Sequence, residues 1–171
     1  MFYKIKMIRM ITRYFCLFVF LAFSLPSSSQ SEAESALPFD PKIDGLKLTE
    51  LVSGYEAIKA INKLHGMPIR IRRGFIAHYE AKQHKATIWV SEAHSEDLAD
   101  KQIRIMISKM KSSKRSPFHH YNASDFRKTK VIGFHGMGQI HYVFRINKWV
   151  YWISANEEHI DKLLGHLCKI S

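Results

Sequence analysis

Cysteine is scarce in this chain: of 171 residues only two are Cys, which excludes a disulfide scaffold. Cys16 lies inside an apolar run near the start, and Cys168 sits in an apolar helical pattern near the end. Once the opening run is removed a single thiol is left, and no internal bridge can close. Cys168 then reads as a buried thiol behaving as a small hydrophobe. Catalytic signatures are missing as well. There is no GxSxG elbow, no glycine-rich phosphate loop, and no HExxH or CxxC spacing for a metal. The acids that cluster, Glu96 with Asp97 and Glu157 with Glu158, stand where helices begin. The positive end of a helix dipole accounts for them there, without a general acid–base role. The sequence therefore assigns no catalytic residue, no cofactor and no metal site.

Acidic residues are also absent before Glu32. Lys4, Lys6, Arg9 and Arg13 make a positive opening, Tyr14 to Leu25 is unbroken apolar sequence, and Pro26 with Ser27, Ser28 and Ser29 follows. This three-part pattern is that of a secretory signal peptide over 1–29, with cleavage expected after Ser29. The apolar run is shorter than the roughly 20 residues a membrane span needs, so no span is expected after cleavage. Cys16 follows Arg13-Tyr14-Phe15 rather than small residues, which argues against a lipid anchor. The protein is expected to be exported, periplasmic or secreted. Residues 30–48, acidic and then carrying Pro38, Pro41 and Gly45, read as a flexible linker. Residues 49–171 remain for a single domain.

A hydrophobic fraction of 46% with 24% charged residues is globular composition. The net charge of +11 falls to about +7 when the four cations of residues 1–29 are removed. A basic exported domain suits an anionic neighbour: a glycan, an anionic envelope component or an acidic protein. Nucleic acid is not expected as a partner.

The most informative feature present is a repetition. His78, Tyr79, Lys85, Trp89 and Ser91 recur as His141, Tyr142, Lys148, Trp152 and Ser154, each displaced by 63 residues. Both sets sit in a strand–turn–strand pattern that runs on into a helical one. The expectation is an internal duplication of a strand–hairpin–helix unit, over about 67–111 and 129–170. Before the first unit, Ser53 with Glu56 has the form of a capping box and Gly66 stands as a helix C-cap. Ala57, Ile58, Ile61 and Leu64 between them mark one helix face. Residues 116–128 have no sustained periodicity and read as loop. The predicted fold is α+β, a two-layer antiparallel sheet of about five or six strands backed by helices.

Turns at Gln83-His84 and Ile146-Asn147 would set His78 across from Trp89 and His141 across from Trp152. Alternation then puts Tyr79, Ile88, Val90, Phe144, Trp149, Tyr151 and Ile153 on a core face. The opposite face holds His78, Trp89 and Ser91 with His141, Trp152 and Ser154, and is the candidate ligand-binding surface: indole for stacking, imidazole and hydroxyl for hydrogen bonds. The competing account is packing beneath a loop such as 116–128. Lys109, Lys111, Lys114 and Arg115 with Arg127, Lys128 and Lys130 form the candidate polyanion surface, against the plainer account of a solvated helix end and loop. His119 and His120 are adjacent and point apart on a strand, so they suit one ion poorly unless the chain curls. These features together suggest a non-catalytic binding or interaction module. The competing classes are a metal-dependent or hydrolytic enzyme using His78 and His141, and a purely structural envelope domain.

Overall fold

A computed structural model describes residues 37–169. The stretch expected to be a secretory signal and the first part of the expected linker fall outside the described residues. The elements are β1 (Lys42–Ile43), β2 (Leu46–Ser53), α1 (Gly54–His65), β3 (Ile71–Ala81), β4 (His84–Ala93) and α2 (Glu96–Ser112), followed by β5 (Phe118–Phe126), β6 (Thr129–Gly136), β7 (Gln139–Ile146), β8 (Trp149–Ala155) and α3 (Glu157–Leu167). All strands join one antiparallel sheet of eight, in the order β1-β2-β3-β4-β8-β7-β6-β5.

This corrects the expected two-layer sheet of five or six strands. One missing strand is β2, which begins inside the stretch read as linker. There Phe39, Ile43 and Leu46 are buried in the core, and Phe39 meets Phe75 and Tyr79 edge-on. The Tyr79 hydroxyl donates to the Asp40 carbonyl at 2.6 Å, and Tyr151 donates to the Pro38 carbonyl at 3.2 Å. The short β1 pairs with β2, and a third missing strand is β5, hidden because a bulge between His119 and Asn122 breaks its alternation. His120, at φ 54°, takes up the extra residue, so Phe118 and Tyr121 pack into the same cluster although they are three positions apart.

Helices cover both faces of the sheet. α1 and α2 pack on the face carrying Ile76, Trp89, Val143, Val150 and Trp152. α3 and the lead-in pack on the face carrying Tyr79, Ile88, Val90, Phe144 and Ile153. β8 lies between β4 and β7 under both layers, and every residue from Val150 to Ala155 is buried. That is why WVYWISA reads as a nearly continuous apolar run.

The duplicated strand–hairpin–helix unit is also overturned. The 63-residue pairs do meet: Trp89 lies across from Trp152 at the β4–β8 seam, ring centroids 5.8 Å apart. The helices that follow, however, leave for opposite faces, α2 to one cluster and α3 to the other. The expected register shifts too. Ala81 pairs with His84 and Ile146 with Trp149, so the turns fall at Lys82-Gln83 and Asn147-Lys148. Lys82 and Asn147 take positive φ there, 52° each. His78 therefore lies across from Thr87 and His141 from Ser154. Each pairing moves by two positions, which leaves every side chain on its expected face.

Candidate functional site

The face expected to bind a ligand is interior. Ser91, His141, Trp152 and Ser154 are buried, and His78 and Trp89 are half-buried. His141 Nε2 donates to the Gly136 carbonyl at 2.9 Å, while its Nδ1 accepts from Trp152 Nε1 at 3.1 Å. Its ring stacks on Phe134 at 5.2 Å and 6°, with Phe118 against its edge. Burial holds this imidazole below its usual range; the Gly136 bond opposes the shift and nearby His135 adds to it. A neutral ring with both nitrogens engaged has no lone pair to offer Ser154 or an ion. His78 Nδ1 is 3.2 Å from Thr87 Oγ1, a pairing within its own hairpin. The His–Trp arrangement is thus packing beneath α1 and α2, with Phe118 of β5 against His141 and Trp152. The stretch expected to be a covering loop is itself a strand.

The polyanion set divides. Lys109, Lys111, Lys114 and Arg115 lie at the C-terminal end of α2, where Lys109 Nζ meets Met67 Sδ at 3.1 Å and Lys111 sits 5.2 Å over the Tyr121 ring. Lys128 and Lys130 instead face the N-terminal part of α2, about 15 Å away along the helix. There they help line a groove of about 600 Å³ with Asp100, Arg104 and Arg145 around Ile103, Ile132 and Val143. Arg127 turns to the other side, over the Phe126 ring, near Lys162, His166 and Lys169.

Arg104 and Arg145 escaped the sequence reading. Arg104 is one helical turn beyond Asp100 and so shares its face. Arg145 grips Asp100 with two nitrogens, at 2.6 and 3.2 Å, and reaches Glu96 at 3.1 Å. Asp100 is held below the usual carboxylate range, first by its hydrogen bonds from Arg145, with burial opposing and the charges of Arg145, Arg104 and Lys130 assisting. The Arg145–Asp100 pair is therefore closed on itself. Arg104, Lys128 and Lys130 form no ion pair with the described residues.

The turn that presents Lys128 is unusual. Arg127 and Lys128 have φ of 48° and 69°, a conformation that two-residue hairpins normally give to Asn-Gly. Holding non-glycine residues there costs on the order of 1–3 kcal/mol each, a kind of strain that clusters at functional sites.

The bulge in β5 does curl the chain at His119-His120. Their Nδ1 atoms approach to 2.8 Å, and His135 stacks 6.2 Å from His119. All three are exposed. Among the described residues no helix is long and apolar enough to cross a membrane.

No protein-family model matches the chain, and no curated protein matches its sequence. Among solved structures, a GTP binding regulator from Thermotoga maritima is similar at 11% identity and a TM-score of 0.46, with 75% of this chain and 79% of that one covered. A likeness of that size carries neither activity nor site over to this chain.

Proposed function

We propose that the protein is an exported, non-catalytic binding module that holds a phosphate-bearing envelope ligand, a glycan or lipid head group, in the groove between α2 and the β5–β6 turn. The observation that carries this reading is the set Arg104, Lys128 and Lys130 around one groove. None of the three has an ion pair among the described residues, and Lys128 is held forward in a strained turn. Phosphate oxygens accept charge-assisted hydrogen bonds from such groups, and Arg104 can present two donors at once. The apolar floor of Ile103, Ile132 and Val143 suits the carbon skeleton of a sugar or lipid. The engaged nitrogens of His141 weigh against a hydrolytic role for the repeated histidines.

The test is calorimetric titration of the purified protein with inorganic tripolyphosphate at several salt concentrations. Affinity should fall as salt rises, since the cations are exposed and screened. Reversing one charge, Lys128→Glu or Lys130→Glu, should cost about 2 kcal/mol, twice the roughly 1 kcal/mol of one exposed pair at 4 Å. The reading fails if these variants bind like the parent, or if Lys114→Glu weakens binding as much.

A further inference from the structure

Away from the groove, at the other end of the sheet, the start of β4 meets the first turn of α3. One atom each from His84, Glu158 and His159 gathers here, all within 4.8 Å of one another. His84 Nε2 is already 3.5 Å from Glu158 Oε2. Ligand atoms about 2.1 Å from a common tetrahedral ion lie about 3.4 Å apart, so small rotations of exposed Glu158 complete the set.

Two details point to a ligand. The side chain of His159 is 9% exposed, and its Nδ1 is 3.4 Å from Asp44 Oδ2. That carboxylate favours the proton on Nδ1 and leaves the lone pair on Nε2, a buried atom with no protein partner. A carboxylate behind one imidazole nitrogen with the other turned to the site is how metal-binding histidines are oriented. The second detail is Asn156. It occupies the N-cap position of α3 yet makes no side-chain cap bond. Its amide nitrogen lies 2.6 Å from His84 Nδ1, and its oxygen is buried without a partner. Half a turn of the amide brings that oxygen onto the ring. It then accepts the Nδ1–H and frees His84 Nε2 for an ion.

We infer that His84, Glu158 and His159 form a binding site for a divalent transition-metal ion of the zinc class, with Asp44 and Asn156 as its orienting partners. Two imidazoles and one carboxylate favour such an ion over calcium or magnesium, which take oxygen ligands. Three protein ligands leave a coordination position on the side of Glu158, which is 60% exposed, open to water or to a donor from another molecule. The ion would tie β4 to α3 across 74 residues of sequence (His84 to Glu158).

The test is titration of the purified, chelator-treated protein with Zn²⁺ against a chromogenic chelator, with a parallel thermal melt. The expected result is one ion per chain, a raised melting temperature, and no response to Ca²⁺. His84→Ala and Glu158→Gln, both at positions with solvent access, should weaken Zn²⁺ at least tenfold and abolish the thermal shift. Asp44→Asn should weaken it by 10–100-fold, as loss of an orienting carboxylate does. Zn²⁺ binding unchanged in His84→Ala and Glu158→Gln overturns the inference. So does its loss in His119→Ala alone, which would place the ion on the exposed histidines of the β5 bulge.

Discussion

Replacing His141 isolates what holds the centre of the sheet. In His141→Ala the Trp152 indole N–H and the Gly136 carbonyl both lose their partner, and both residues are buried. Each unsatisfied buried group costs roughly 1–3 kcal/mol, and the vacated ring leaves a cavity against Phe134, Phe118 and Trp152. The expected loss is about 3–5 kcal/mol, a large share of the 5–15 kcal/mol typical of a domain. His141→Phe keeps the stack on Phe134 and should lose about 2–3 kcal/mol for the two polar groups alone. Urea unfolding followed by tryptophan fluorescence measures both. The same ring sets a pH dependence. Burial lowers its folded pKa below the usual imidazole value of about 6.5, so the unfolded chain binds the proton more readily. Stability is then fully present above about 6.5 and is lost as pH falls through the lower folded value. His65, also lowered chiefly by burial, acts in the same direction. The loss between pH 7.5 and 5 should be shallower in His141→Phe, which keeps only the His65 contribution. A cost under about 1 kcal/mol for His141→Ala, with an unchanged pH slope in His141→Phe, would refute this account of the interior.

Two further outcomes follow from the same geometry. Asp100→Asn should release Arg145 into the groove and tighten tripolyphosphate several-fold, while costing no more than about 1 kcal/mol of stability because the ion pair is partly exposed; a weakened affinity in the titration would count against the groove. Chains retaining one of the three tryptophans should differ in acrylamide quenching. Trp152, 7% exposed, should be the most protected, and Trp89 and Trp149 less so. Trp149 is half-buried with the Arg73 guanidinium 4.7 Å above it, and equal quenching of all three would contradict the packing.

Much of the secondary structure was legible because each helix carries its own signals. Gly66 caps α1 at φ 62°, and Ser95 Oγ accepts from Leu98 N–H at 3.2 Å to open α2. The strands lost to the sequence reading were those whose pattern depends on partners far away. β2 is held by β3, with Leu48 across from Tyr79, while β5 is an edge strand whose bulge shifts its phase. The number of layers was illegible for a related reason. Alternation tells which residues share a face, but both faces of β8 are apolar enough to bury, and only the paths of α2 and α3 decide what covers each. The groove was half visible: Lys128 and Lys130 stood out as a charge run, whereas Arg104 and Arg145 join them only through the packing of α2 on β7. The His84–His159 pairing was invisible, since nothing in a sequence links residues 75 apart without a motif.

The sheet itself explains why recognition moves to the ends of this fold. The central strands β3, β4, β7 and β8 commit both faces to packing, and a buried imidazole there must spend its nitrogens on neighbours, as His141 does. Polar groups with unspent capacity can persist only where the chain turns and backbone is exposed. β6 and β7 run between two such ends, about 25 Å apart for strands of this length. At one end the Arg127-Lys128 turn meets the start of α2 and gathers cations. At the other, the start of α3 meets β4 and the bulge of β5, and gathers His84, His159, His119, His120 and His135. Both gatherings depend on departures from regular strand geometry or regular capping: a turn held at positive φ by Arg and Lys, a bulge through His120, an Asn156 that forgoes its cap for His84. Regular packing would have favoured Asn-Gly at that turn and a side-chain cap at α3. The two proposed surfaces therefore stand at the ends of the sheet, where turns and helix starts leave polar groups with capacity to spare.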